Sequence, residues 1–303
     1  MWQGNLLDRL NLRYDNLSKC QKRIADYITQ HYDKAAFMTA AVLSDTVGVS
    51  ESTIVRFAYA LDYDGYPQMQ KELQDVIQNK MTTIQKLKLM EGLSSEEIIN
   101  ASCKTDINNL RVTKERNSPE EFDRVIDILA NAKTVYLIGT RSSRPLAEFL
   151  EYYMSYMMAN VHLIRFSAND IFSQIITANE KDAALALSFP RYSKSTIETM
   201  EYLKEKKCPL IAITDNLNAP PALIADHVLT AKSYMNSFVD SFVAPLSIIN
   251  ILIILLGLKK KDVLTRNFHE LEELWEKNQV YASNKYMQND EITEEIYENE
   301  DDI

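Results

Sequence analysis

Val42-Leu43-Ser44-Asp45-Thr46-Val47-Gly48-Val49-Ser50-Glu51-Ser52-Thr53-Ile54-Val55-Arg56-Phe57 reads as a helix, a tight turn at Gly48 and a second helix opening at Ser50. Thr39 is placed to cap the first helix, which ends at Val47, and Gly48 suits the left-handed position after it. Ser50 is placed to cap the second, with Val49 and Ile54 spaced as a hydrophobic staple. On a helical wheel Ile54, Phe57, Ala58 and Leu61 gather on one face and Ser52, Val55, Arg56 and Tyr59 on the other. A helix-turn-helix of this kind lays its second helix in the DNA major groove. The candidate contacts to a double-stranded DNA operator are Ser50, Glu51, Ser52, Thr53, Arg56 and Tyr59. Arg56 offers a guanidinium fork to base or phosphate. Glu51 either accepts from a cytosine amino group or simply favours the helix N-terminus.

Outward from this unit, residues 1–77 read as all-helical. Ser18 with Gln21 makes a capping box for a helix through about His31, striped by Ile24, Tyr27 and Ile28. Asp64-Gly65-Tyr66-Pro67 predicts a break, and Met69 to Ile77 a further helix. Residues 78–117 read as connecting helices, interrupted near Gly92-Leu93-Ser94, and Ser118-Pro119-Glu120-Glu121 opens another helix with Pro in its first turn. From Thr134 the pattern changes. Val135–Ile138, Val161–Ile164, Ala183–Leu187, Leu210–Ile213 and Val228–Leu229 are strand candidates separated by helical stretches. The fold class expected is therefore an all-α helix-turn-helix domain followed by an α/β domain, about 118–288, with a five-stranded parallel sheet flanked by helices. An apolar helix over Val239–Leu256, with Asp240 favouring its N-terminus or, as the lesser alternative, contacting a ligand hydroxyl, and an amphipathic one over Lys261–Tyr286 close it. Burial of the first between the sheet and a partner subunit predicts a homodimer or homotetramer. Residues 289–303 carry eight acids and no base and read as a disordered tail.

The chain has 303 residues and a net charge of −10, of which the tail supplies −8. Residues 1–80 hold nine Lys/Arg and ten Asp/Glu, so the DNA-binding candidate is not basic by count. Its affinity would rest on the placement of those charges and on dimerisation. Three dispersed cysteines, without a CxxC pair, suit a reduced, cytoplasmic setting. Four scattered histidines give no metal-ligand spacing, and no cofactor motif stands out. Met1 to Leu12 has neither the basic start nor the apolar run of a signal peptide. The longest apolar stretch, Ala244 to Leu258, is shorter than the roughly 20 residues that span a bilayer, so no membrane partner is expected.

Two strand-to-helix turns stand out in the α/β region: Ile138-Gly139-Thr140-Arg141-Ser142-Ser143-Arg144-Pro145 and Leu187-Ser188-Phe189-Pro190-Arg191-Tyr192-Ser193-Lys194-Ser195. Each joins hydroxyls and an arginine to a helix N-terminus. Free backbone N–H groups, hydroxyls and guanidinium forks together suit a small anion, phosphate above all. In parallel sheets such ligands lie at the carboxyl ends of the strands. The candidate ligand residues are Gly139, Arg141, Ser142, Ser143, Ser188, Arg191, Tyr192 and Ser193.

Leu17-Ser18, Gln21, Ile24-Ala25, the segment Gly48 to Phe57 and Asp64-Gly65-Tyr66-Pro67 resemble the N-terminal domain of RpiR-family transcriptional regulators. The region of about 120–258 resembles the SIS (sugar isomerase) domain that follows it in that family. The resemblance implies a phosphosugar ligand, a sheet of flavodoxin-like strand order, and phosphosugar contacts at Ser143, Ser188 and Ser193. The chain departs from the family pattern at three glycines. Asp62 stands where a helix-ending Gly is common, which predicts a slightly different loop. Arg141 stands at the second Gly of a GxGxS loop, and Pro190-Arg191 replaces the Ser-Gly of an SxSGxT loop. These changes leave open a more acidic ligand, a differently shaped one, or the loss of the site.

The expected function is a ligand-responsive, non-enzymatic transcription regulator. The alternatives are a phosphosugar isomerase with an appended helical domain and a protein-interaction module. Isomerisation needs a positioned base. Glu148, Glu151 and Glu198 lie on helices beyond the loops, where solvated or interface carboxylates are the simpler reading, and no catalytic residue is assigned.

Overall fold

The computed structural model describes residues 6–80, 82–88, 90–166, 171–235 and 237–281. The acidic tail, and the last residues of the helix expected to reach Tyr286, lie outside them.

The N-terminal helices are α1 (Leu6–Arg13), α2 (Lys19–Gln30), α3 (Tyr32–Ala35), α4 (Ala40–Val47), α5 (Glu51–Ala60) and α6 (Tyr66–Lys80). Leu6, Ile24, Ile28, Leu43, Ile54, Phe57, Leu61, Met69 and Leu73 are buried in one core. Each such side chain contributes about 1.5–3 kcal/mol by leaving water. Ser18 and Gln21 form the expected capping box. The Thr39 hydroxyl accepts from the Val42 amide, and Gly48 takes φ 70°. Arg23 of α2 donates to the Val47 carbonyl, tying the turn between α4 and α5 to the helix beneath it.

Three local details differ from expectation. Ser50 occupies the extended cap position of α5, but its hydroxyl pairs with those of Ser52 (2.9 Å) and Thr53 (2.8 Å) instead of a backbone amide. α6 opens at Tyr66, three residues before Met69. Pro67 lacks only an N–H that the first turn leaves unpaired anyway, so Asp64-Gly65 makes the break by itself. Asp62 does not alter the loop: it adopts the left-handed conformation itself, φ 62°. Arg13 of α1 grips the Asp62 carboxylate with both guanidinium nitrogens and donates to the Ala60 carbonyl (2.8 Å), while Arg9 donates to Leu61 (3.1 Å). The last carbonyls of α5 are thus satisfied from α1, which holds the Asp where a Gly would sit unaided.

α7 (Thr83–Lys88) and α8 (Ser95–Arg116) connect the two regions, α8 opening on a capping box of Ser94 and Glu97. α8 carries a polar stripe onto the segment that follows the last strand. Ser241 donates its hydroxyl to Asp106, Asn109 donates to the Tyr234 carbonyl (2.7 Å), Thr113 accepts from the Lys232 amide (2.9 Å), and Asn117 accepts from the Thr230 amide (2.8 Å) and donates to its carbonyl (2.7 Å).

The α/β region begins with α9 (Pro119–Asn131). Strands β1 (Val135–Gly139), β2 (Val161–Leu163), β3 (Ala183–Leu187), β4 (Leu210–Thr214) and β5 (His227–Thr230) form one all-parallel sheet in the order β2-β1-β3-β4-β5. The crossovers hold α10 (Arg144–Met154), α11 (Lys194–Glu205) and α12 (Pro220–Ile224), and α13 (Val243–Lys259) and α14 (Lys261–Lys277) follow β5. β1, β3 and β4 are buried throughout, as a sheet covered on both faces requires. Val135, Leu137, Leu185 and Ile211 meet α9, α10 and α13 in one core; Tyr136, Ile138, Ala184 and Ala212 meet Met200 and Leu203 of α11 in the other. α13 starts at Val243, so Asp240 precedes the helix and does not sit at its N-terminus. Ile251, Ile254 and Leu258 on α13 are exposed in the single chain, at 37%, 61% and 66%.

Gly48 is the tightest local requirement in the N-terminal region. A Cβ there would lie 3.0 Å from a guanidinium nitrogen of Arg23, on a backbone that L side chains seldom adopt. Gly48→Ala should cost about 1–2 kcal/mol in urea unfolding. Gly48→Asn should cost less, because Asn visits this region more readily; equal losses would mean that backbone handedness is not what Gly48 supplies.

Candidate functional site

On α5, Glu51, Ser52, Arg56 and Tyr59 are exposed while Ile54, Phe57 and Ala58 are buried, so the face opposite the core is open to a groove. Arg56 lies back along its own helix: its Nε donates to the Ser52 carbonyl (3.3 Å) and its Nη2 to the Ser52 hydroxyl (3.4 Å). Ser50, Ser52 and Thr53 are linked through their hydroxyls at the start of the same helix. The six residues singled out in the sequence therefore occupy one helix start and one exposed face.

The second site lies where β1 and β3 end side by side, with Gly139 paired in register to Leu187. The two following loops enclose a cleft of about 120 Å³, lined by Arg141, Ser142, Ser143, Ser188, Arg191 and Ser193 among the residues expected. Thr140, Leu187, Phe189, Pro190 and Asp240 complete it. The loops are tied to each other by a 3.1 Å hydrogen bond between the hydroxyls of Thr140 and the buried Thr196 of α11.

Burial divides the cleft into levels. Ser143 and Ser188 are 6% and 4% exposed, and neither hydroxyl has a hydrogen-bond partner among the described residues. Neither hydroxyl is among the buried atoms left without a partner, so both reach the solvent of the cleft, where a ligand can meet them. Arg141 and Arg191 stand at the exposed rim. Both are left-handed, with φ 52° and 62°, a conformation that costs a non-glycine residue about 1–2 kcal/mol.

Two expected residues are absent from the lining. Tyr192 turns away and donates to Asp215 at the end of β4 (2.7 Å), whose carboxylate also accepts from Asn216 (2.8 Å). Burial, and then the Asp215 carboxylate, push the Tyr192 hydroxyl well above its ordinary value, so it remains a neutral donor that anchors its loop. Gly139 lies beneath the first loop. A Cβ there would come within 2.7 Å of the Ala147 Cβ and 2.9 Å of the Ser143 carbonyl oxygen, so only Gly lets α10 begin this close to β1.

Asp240 reaches the cleft because α13 starts late and Phe242 packs on Phe189 at 5.5 Å between ring centroids. In the sequence, the polar Asp240-Ser241 pair at the head of an apolar run was the available signal, but it reads equally as a helix start. The three glutamates weighed as bases lie elsewhere. Glu148 pairs with Arg144 (2.8 Å), Glu151 accepts from the Leu163 amide (3.1 Å), and Glu198 pairs with Lys194 (3.4 Å).

Residues 4–80 match the helix-turn-helix domain of the rpiR family, and residues 128–255 match the SIS domain. The chain is a transcriptional regulator of the rpiR family. This regulator is 27% identical over 230 residues to an HTH-type transcriptional regulator of Clostridium perfringens, spanning 75% of this chain and 82% of that one. Its fold is shared with the sugar isomerase domain of an RpiR transcription factor from Sphaerobacter thermophilus (TM-score 0.55, 22% identity, 58% of this chain and 97% of that chain). It is shared over greater length with the Vibrio vulnificus NanR protein complexed with ManNAc-6P (TM-score 0.54, 19% identity, 92% and 100%).

Gly139→Ala in this regulator should lower stability by about 1–3 kcal/mol, the usual cost of forcing a methyl into a filled space. A thermal melt of the full chain checks this; an unshifted melting temperature would show that α10 can move off β1 freely.

Proposed function

We propose that this cytoplasmic regulator binds a duplex operator as a dimer through α5, and that a phosphosugar-type anion held between the β1 and β3 loops changes that binding. The observation that carries the coupling is at Arg191. It lines the cleft, and its Nη1 also donates to Thr83 Oγ1 at 3.2 Å, at the start of α7. α7 follows α6, whose Tyr66, Met69 and Leu73 belong to the same core as the recognition helix. A ligand that competes for Arg191 therefore acts on the arm leading to α5. Such a ligand shifts DNA affinity only to the extent that it favours one of the two arrangements.

The anion reading is supported by the unpartnered Ser143 and Ser188 hydroxyls, the two rim arginines and the helix that opens after each loop. A relative of the same fold complexed with ManNAc-6P agrees with it. The non-enzymatic reading is supported by the engagement of Glu148, Glu151 and Glu198 away from the cleft, whose lining holds one carboxylate, Asp240. The exposed apolar residues of α13 suit a second copy of the chain, which would set two recognition helices on successive major grooves. Among the described residues no single helix is long and apolar enough to cross a membrane.

The test is a fluorescence-anisotropy titration with duplex from upstream of the gene, at two salt concentrations, with and without a panel of sugar phosphates. Expected are sequence-preferring binding that weakens with salt and an affinity shift with at least one sugar phosphate. Arg56→Ala should weaken operator binding about tenfold or more with the fold intact. Thr83→Val should shrink the ligand-dependent shift. Absence of DNA binding at low salt, with and without the panel, would defeat the operator reading, and a Thr83→Val response equal to that of the native chain would defeat the coupling.

A further inference from the structure

We infer that the cleft takes a ligand carrying two anionic groups: a phosphate held at the floor by Ser143 and Ser188, and a carboxylate or second phosphate held at the rim by Arg141 and Arg191. This rests on the anion-sensing reading above and narrows its ligand class.

The division follows from burial and partnering. The deeper level offers a phosphate the hydroxyls of Ser143 and Ser188, which open on the cleft, and the half-buried Ser193 and the exposed Ser142 also belong to the lining. One phosphate in that position has its oxygens met without a guanidinium. The arginines come from different loops, and both face the same cleft from the exposed level. Neither has an ion-pair partner among the described residues, whereas Arg13, Arg111, Arg124 and Arg144 each pair with a carboxylate. Asp240 lines the same cleft without forming an ion pair with either arginine, which leaves both guanidinium forks open to a ligand and its own carboxylate able to accept from ligand hydroxyls. A guanidinium fork matches a carboxylate or phosphate in two parallel hydrogen bonds.

Arg141 and Arg191 both hold positive φ, where glycine would sit without strain. Asp62, Lys207 and Gln279 hold similar angles away from the cleft, so the angle alone does not mark a site; what sets the two arginines apart is that both line one cleft.

The test uses calorimetric titration of the full chain with three matched pairs: glucose 6-phosphate and 6-phosphogluconate, glycerol 3-phosphate and 3-phosphoglycerate, and fructose 6-phosphate and fructose 1,6-bisphosphate. Within a pair that binds, the doubly anionic member should bind at least tenfold tighter. The first two pairs report on a carboxylate and the third on a second phosphate. Arg141→Gly and Arg191→Gly should each reduce that ratio severalfold, and neither should lower the melting temperature, since glycine accepts the backbone. Equal affinities within every binding pair, or a ratio that survives both glycine variants, would overturn the inference and leave anion sensing standing. Failure of all six compounds and of inorganic phosphate to bind would overturn both.

Discussion

The register between β1 and β3 is the constraint from which the ligand-binding half follows. Five consecutive pairs, from Val135↔Ala183 to Gly139↔Leu187, bring the carboxyl ends of two strands level with each other although residues 140–182 lie between them in the chain. Because β2 lies on the far side of β1, the crossovers leaving β1 and β3 go to opposite faces of the sheet, and a crevice opens between them. Every residue of the cleft is placed by that crevice. The hydroxyls of Ser143 and Ser188 line its buried floor, and the arginines stand at its mouth. Gly139 lets the first helix start close to its strand, and the Tyr192–Asp215 bond pins the second loop to the neighbouring strand.

A second set of contacts docks the connecting helix α8 onto the sheet region. α8 is not held to the sheet region by apolar packing alone. Asp106, Asn109 and Thr113 bond to the segment between β5 and α13, which also delivers Asp240 to the cleft, and Asn117 bonds to Thr230 at the end of β5. Hydrogen bonds between buried polar groups fix one docking geometry more sharply than apolar contact does, because a shift of register leaves donors and acceptors unpaired. The bond between Arg191 and Thr83 adds a contact from the second cleft loop to the start of α7.

Much was legible in the sequence where the signal is local. The cap at Thr39, the turn at Gly48, the core face of α5, the five parallel strands and the two strand-to-helix loops follow from periodicity and turn chemistry over a few residues, and the structure has them. The misreadings came where a local rule met a distant partner. Ser50 has the residue type and position of a cap, but neighbouring hydroxyls take its bond. Asp62 replaces a glycine yet keeps the glycine's conformation, because two arginines from α1, some fifty residues earlier, hold it. Tyr192 lies inside a loop rich in ligand-binding residue types, and only the fold shows that Asp215 claims it.

The sequence by itself determined that this chain has a helix-turn-helix followed by a parallel α/β domain with two anion-type loops, since those features are written in short-range spacing, capping and β-rich runs. Only the tertiary structure decided that the two loops share one cleft, that its floor is hydroxyl and its rim guanidinium, that Asp240 enters it, and that Arg191 touches the arm leading to the recognition helix. These depend on strand order, on the late start of α13 and on side-chain direction at left-handed residues. Each of them is fixed by contacts between residues far apart in the chain, and no local pattern encodes such contacts.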